Sequence, residues 1–175
     1  IEQGWIKVPI TKYSAGQERV NYIFTSLEKE VPLIKRPKFV FAHVVAPHPP
    51  FIFDQKGPVT PDELLFLQGA DTFQGSIDEY KQGYISDLMY VNQRIIKSID
   101  GILANSKTPP IIIIQADHGP DAYMNWTTGI STCLKERFSI LNAYYFPNQS
   151  PIQPPEDITP VNTFAVIFNS YFGTD

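Results

Sequence analysis

Cysteine is almost absent: Cys133 stands alone among 175 residues, so no disulfide can form within the chain. That excludes the small folds held together by several disulfides. No base is signalled beside Cys133, and it reads as a small buried or half-buried residue rather than a nucleophile. Charge is also scarce, at 18% Asp, Glu, Lys and Arg, where soluble domains usually carry about a quarter. The net charge of −4 and the lack of any Lys/Arg run longer than Lys35-Arg36 remove the basic face that nucleic-acid binding needs. The longest aliphatic run covers only 111–114, far short of the roughly 20 apolar residues of a membrane span. No Gly-x-Ser-x-Gly elbow, internal repeat or low-complexity tract occurs.

What is abundant is apolar and aromatic side chain. Hydrophobic residues make up 43% of the chain, with twelve Phe, nine Tyr and two Trp. That is ample for one core, and the length fits a single domain over 1–175. Apolar periodicity predicts a first helix after Ser14-Ala15-Gly16, with Val20, Ile23, Phe24, Leu27 and Val31 on one face and Pro32 and Pro37 closing it. A near-continuous apolar run over 38–45 predicts a strand buried on both faces, with His43 a satisfied core histidine. Proline then ends that run in Ala46-Pro47-His48-Pro49-Pro50-Phe51. A long loop is expected over 52–76, with a short helix at Leu64-Leu65-Phe66-Leu67. The clearest helix spans 77–105, where Tyr80, Tyr84, Leu88, Val91, Ile95, Ile99 and Ile102 make a core-facing stripe. Strands follow at 111–116 and 138–146, and a last helix starts after Thr159-Pro160. The alternation of helix and strand points to an α/β layer architecture with βαβ crossovers.

Asp117-His118-Gly119 stands directly past the strand at 111–116. In open α/β sheets, ligands bind beyond the carboxyl ends of the strands. A carboxylate beside an imidazole suits a divalent ion. Neighbouring strand residues point to opposite faces, so the two side chains can converge only where the backbone turns, and Gly119 supplies freedom to turn. Taken alone, such a pair also serves as an ordinary polar turn. His48 lies just past the strand at 38–45, held between prolines, where its ring could donate to a phosphoryl or sulfuryl oxygen. Its other reading is a surface-loop histidine.

The apolar run into Ala-Pro-His-Pro-Pro-Phe, the long helix opening near Tyr80-Lys81-Gln82-Gly83-Tyr84 and the strand ending in Gln115-Ala116-Asp117-His118-Gly119-Pro120 together resemble the sulfatase-like domain of the alkaline phosphatase superfamily. The closing Thr159-Pro160-Val161-Asn162-Thr163-Phe164 segment is similar to that of membrane-anchored prokaryotic sulfatase-like proteins, of the phosphoethanolamine-transferase type. The resemblance covers 18–173. It implies a partial alkaline-phosphatase-like α/β/α sandwich, with a mostly parallel sheet flanked by helices, forming the C-terminal part of a larger domain. It also implies a hydrolase or transferase acting on phosphate or sulfate esters, with a divalent metal (Zn or Mn ahead of Mg or Ca) on Asp117 and His118 and substrate contact at His48. The family's nucleophile and a further acidic ligand have no counterpart in 1–175, so the chain is expected to be catalytically incomplete and to need the upstream half of the domain as partner. Membrane contact would come only through segments outside this soluble chain, at the extracytoplasmic face. The alternative is a non-catalytic α/β binding or scaffold module of the same descent.

Overall fold

The structure, a computed structural model, describes residues 14–59, 73, 75–147, 152 and 154–174. The expected helix at Leu64–Leu67 lies outside them. Two helices organise the core. The first, α1, spans Ser14–Lys29 and is followed by a 3-10 turn at Val31–Leu33, where Pro32 leaves no amide to continue the helix. The second, α2, spans Ile77–Asn105 and opens on a capping box, in which Ser76 and Glu79 each accept from the other's peptide N–H. Val20 and Phe24 of α1 pack against Tyr90 and Val91 of α2, and Ile52 and Phe53 close the cluster from the loop side. The Phe53 and Tyr90 rings stack with centroids 4.3 Å apart. A two-residue hairpin, β1 (Phe53–Asp54) with β2 (Gly57–Pro58), holds that loop in place. Gln17 reaches across from α1 to donate to the Ile52 and Val59 carbonyls at 2.8 and 2.9 Å.

The inner seam between the helices is polar at its far end. Glu28 is buried, yet it accepts from Arg94 at 3.2 Å and from Ser98 at 3.1 Å. Arg94 also donates to Asn21 at 3.1 Å and lies over the Phe24 ring. A buried charge held this way is satisfied on several sides. The deepest residues of α2 are therefore Tyr80, Gly83, Asp87, Tyr90, Val91 and Ser98. The expected stripe is displaced: Tyr80 and Val91 are buried, while Leu88, Ile95, Ile99 and Ile102 are only half-buried.

Past α2 come β3 (Ile112–Gln115), a short helix α3 (Leu134–Phe138), β4 (Asn142–Tyr145), a 3-10 turn at Pro160–Asn162 and α4 (Thr163–Phe172). Strands β3 and β4 pair antiparallel, with Ile112 opposite Tyr145 and Gln115 opposite Asn142. Thr163, buried at the start of α4, is bonded to Gln115 at 3.0 Å and to Tyr144 at 3.1 Å, which ties the helix to the sheet. Gly173 ends α4 in the left-handed conformation.

This architecture corrects the expected mostly parallel α/β/α sandwich. The sheets among the described residues are two antiparallel pairs, β1-β2 and β3-β4. Residues 38–45 carry no regular secondary structure and join neither, so no crossover leads from them through α2 to β3 among the described residues. A strand that is apolar on both sides needs a ladder neighbour and two covering layers, and among the described residues this run has neither. Phe39 and Phe41 are 77% and 80% exposed, and only Val44 leans onto the core. His43 is exposed rather than buried and lies against the Phe41 ring. Residues 138–146 divide into the end of α3 and the four residues of β4. Cys133 is exposed, just ahead of α3.

Candidate metal centre

Strand β3 ends at Gln115, and the Ala116 amide still reaches back to the Leu141 carbonyl at 2.9 Å. The chain then leaves the ladder, so Asp117 and His118 no longer alternate across a sheet. Their side chains meet: His118 Nε2 is 3.6 Å from Asp117 Oδ2. The other carboxylate oxygen, Oδ1, accepts from the His118 peptide N–H at 3.0 Å. Oδ2 is thereby left facing the imidazole and solvent, on a side chain 81% exposed.

The inner edge of the imidazole is fully engaged. His118 Nδ1 lies 2.8 Å from the Gly119 carbonyl oxygen and 2.7 Å from Arg137 Nη1. Arg137 comes from α3, donates to the Gly119 carbonyl at 3.0 Å and is ion-paired with the buried Asp121. The Asp121 amide in turn donates to the Tyr80 hydroxyl at 3.0 Å, which fastens this turn to α2. Burial raises the Tyr80 pKa to about 12, and the negative charge of Asp121 adds to the rise against the pull of its peptide bond. The phenol stays protonated throughout the physiological range.

Gly119 owes its place to space. Its φ is not positive, unlike that of Gly57, Gly129 and Gly173, so the expected need for freedom to turn is not the reason. The Gly119 amide donates to the Arg137 carbonyl at 2.7 Å, which draws the turn hard against α3. A Cβ there would run into the Glu136 carbonyl oxygen and sit 3.0 Å from that of Ser139.

The other expected contributor makes its contact within its own loop. His48 is exposed on the proline loop, its Nδ1 2.5 Å from the Pro49 carbonyl. No hydrogen bond or ion pair among the described residues joins it to Asp117 or His118. No group of three or more His, Cys, Asp or Glu side chains able to hold a metal occurs among the described residues. The chemistry present is thus two donors, a carboxylate oxygen and an imidazole nitrogen. Two ligand bonds of ~2.1 Å can bridge the separation of 3.6 Å, so the pair fits half of a divalent-metal site.

Sequence reasoning did not anticipate Arg137 or Asp121. Residues 134–138 carry too short a pattern for helical periodicity to register, and the Asp121–Arg137 pair is joined only by the fold. Comparison with known protein families, with curated proteins and with solved structures finds no match for the chain. None of the described helices is long and apolar enough to cross a membrane.

Proposed function

We propose that this chain carries the metal-ligand pair of a sulfatase-like hydrolase or transferase acting on phosphate or sulfate esters. The observation that supports this reading is the convergence of His118 Nε2 and Asp117 Oδ2 to 3.6 Å where β3 ends, with the far edge of the ring already bonded. Asp117 and His118 would hold a divalent ion, Zn or Mn ahead of Mg or Ca, which when bound supplies charge stabilisation for the transferring group. The chain's own residues keep the two donors together, since Asp121, Arg137 and Tyr80 brace the turn from below.

Two donors do not complete a site, so the remaining ligands and the nucleophile are to come from another part of the same domain. The exposed apolar run at 38–45 and the edge of β3 that no strand pairs among the described residues are the surfaces such a part would cover. His48 would meet the substrate's oxygens only in that completed assembly, and the resemblance puts the reaction at the extracytoplasmic face of a membrane. The second reading, a scaffold module without chemistry, draws support from the lack of a third ligand among the described residues.

Turnover separates them. The intact protein is assayed on 4-nitrophenyl phosphate and 4-nitrophenyl sulfate with Zn²⁺ or Mn²⁺. The enzyme reading predicts metal-dependent release of nitrophenol that Asp117→Ala lowers by ~100-fold or more, as loss of charge stabilisation does elsewhere. Turnover indifferent to both metal and variant, or none on either ester, contradicts it.

A further inference from the structure

We propose that the loop over 122–134, together with the outer face of α3, is a docking surface for a phospholipid bilayer. Trp126, Ile130, Leu134 and Phe138 are all exposed by half or more. Leu134 and Phe138 stand four residues apart, on one face of α3. No charged residue occurs between Asp121 and Lys135. Exposed apolar surface of this kind marks a contact with a membrane or a partner.

What favours lipid over a protein partner is where the loop's own amides bond. The Asn125 amide donates to Thr132 Oγ1 at 3.1 Å, and that hydroxyl lies 3.8 Å from the Met124 sulfur. Asn125 Oδ1 accepts from the amides of Thr127 and Thr128, both at 3.1 Å. The Gly129 amide returns to the Asn125 carbonyl at 3.0 Å, and the Ile130 amide donates to Thr128 Oγ1 at 3.2 Å. Bonds of 3.3 Å from the Thr132 amide to the Gly129 carbonyl and from the Cys133 amide to the Tyr123 carbonyl close the neck. Gly129 and Ser131, both in the left-handed region, turn the chain back. Apolar surroundings demand such internal pairing, whereas a protein interface draws about one hydrogen bond from each 100–200 Å². An indole on such a loop suits the headgroup boundary.

The charges at the base fit the same occupant. The acids that flank the loop in sequence are engaged, Asp121 with Arg137 and Glu136 with the Tyr123 amide. Lys135 is exposed, and Lys81 donates to the Tyr123 hydroxyl at 2.6 Å and lies over its ring. Neither ammonium group has an acid partner among the described residues. On a chain of net charge −4 this rim is locally cationic, which favours anionic headgroups. Nothing in the arrangement depends on a metal at Asp117 and His118.

The test reads Trp126 emission in the intact protein as the difference between wild type and Trp126→Phe, so that Trp5 cancels. Vesicles of equimolar phosphatidylcholine and phosphatidylglycerol should shift that emission to the blue, and phosphatidylcholine brominated on its acyl chains should quench it. Ile130→Ser combined with Leu134→Ser should move the balance between inserted and free loop ~tenfold or more toward water, read as lost quenching. Vesicles of phosphatidylcholine alone should give the weaker signal; an equal one would overturn the choice of anionic lipid. Wild-type emission that vesicles leave unchanged would overturn the proposal without recourse to the double variant, and so would quenching that the folded double variant retains. An emission shift that follows protein concentration with no vesicles present would also overturn it, because the occupant is then a second copy of the chain.

Discussion

Replacing Gly119 by Ala is expected to displace α3 and destabilise the protein by about 3 kcal/mol, at the upper end of what overpacking a tight contact costs. The atoms a Cβ would meet are backbone, the carbonyl oxygens of Glu136 and Ser139, so no side-chain rotation can relieve the clash. The turn must move off α3, and with it goes the 2.7 Å bond from the Gly119 amide to the Arg137 carbonyl. Arg137 then loses its register with His118 and Asp121 together. Denaturant unfolding of Gly119→Ala beside the wild type measures the loss. Equal midpoints would mean that the close approach of this turn to α3 is not a feature of the folded protein.

Asp87→Asn is expected to remove most of the pH dependence of stability between pH 4 and 7. Asp87 is fully buried in the middle of α2, and neither carboxylate oxygen completes a hydrogen bond of ordinary geometry. Burial pushes its pKa up to about 7, against a smaller opposing pull from the peptide N–H groups of Ile52 and Phe53. The folded state therefore holds a proton that the unfolded chain releases near the ordinary carboxylate value. The resulting stabilisation is fully present below about pH 4 and is lost as pH rises through 7. At ~1.4 kcal/mol per pKa unit, the wild type should lose about 4 kcal/mol across that range. The Asn variant, which mimics the protonated side chain, should lose little and be the more stable protein at pH 8. Unfolding midpoints at pH 4, 6 and 8 decide it: parallel profiles for the two proteins would exclude Asp87 as their source.

Elements whose reasons are local were legible in the sequence. The predicted helix over 77–105 is α2, because Ser76 and Glu79 write its start and an unbroken apolar period carries it to Asn105. The predicted strand at 111–116 is β3 less one residue at each end. Elements whose reasons are tertiary were not. The run at 38–45 has the composition of a central strand, but composition cannot supply the neighbours on either side, and its side chains other than Val44 lie exposed. The same gap explains the error in topology. A strand–helix–strand order suggests a parallel crossover, whereas β3 takes its partner from β4, later in the chain and running the other way. At the site, the convergence of Asp117 and His118 could be argued from a strand end. The brace beneath them could not, since Tyr80, Asp121 and Arg137 are brought together from three separate segments. Asp87 escaped notice because a single Asp within a helical pattern looks like an exposed position until the packing of Ile52 and Phe53 is known.

Asp117 and His118 are proposed to act together as ligands of one divalent ion. Calorimetric titration with Zn²⁺ of the intact, metal-free protein, with the completing part of the domain present, tests it most directly, with Asp117→Ala and His118→Ala run alongside. Neither substitution removes a buried group, as the Asp117 side chain is 81% and that of His118 32% exposed, so both variants should fold. One Zn²⁺ is expected to bind the wild type, with an affinity at least tenfold weaker in each variant. Zn²⁺ binding of equal strength in all three proteins, or none in the wild type, would contradict it.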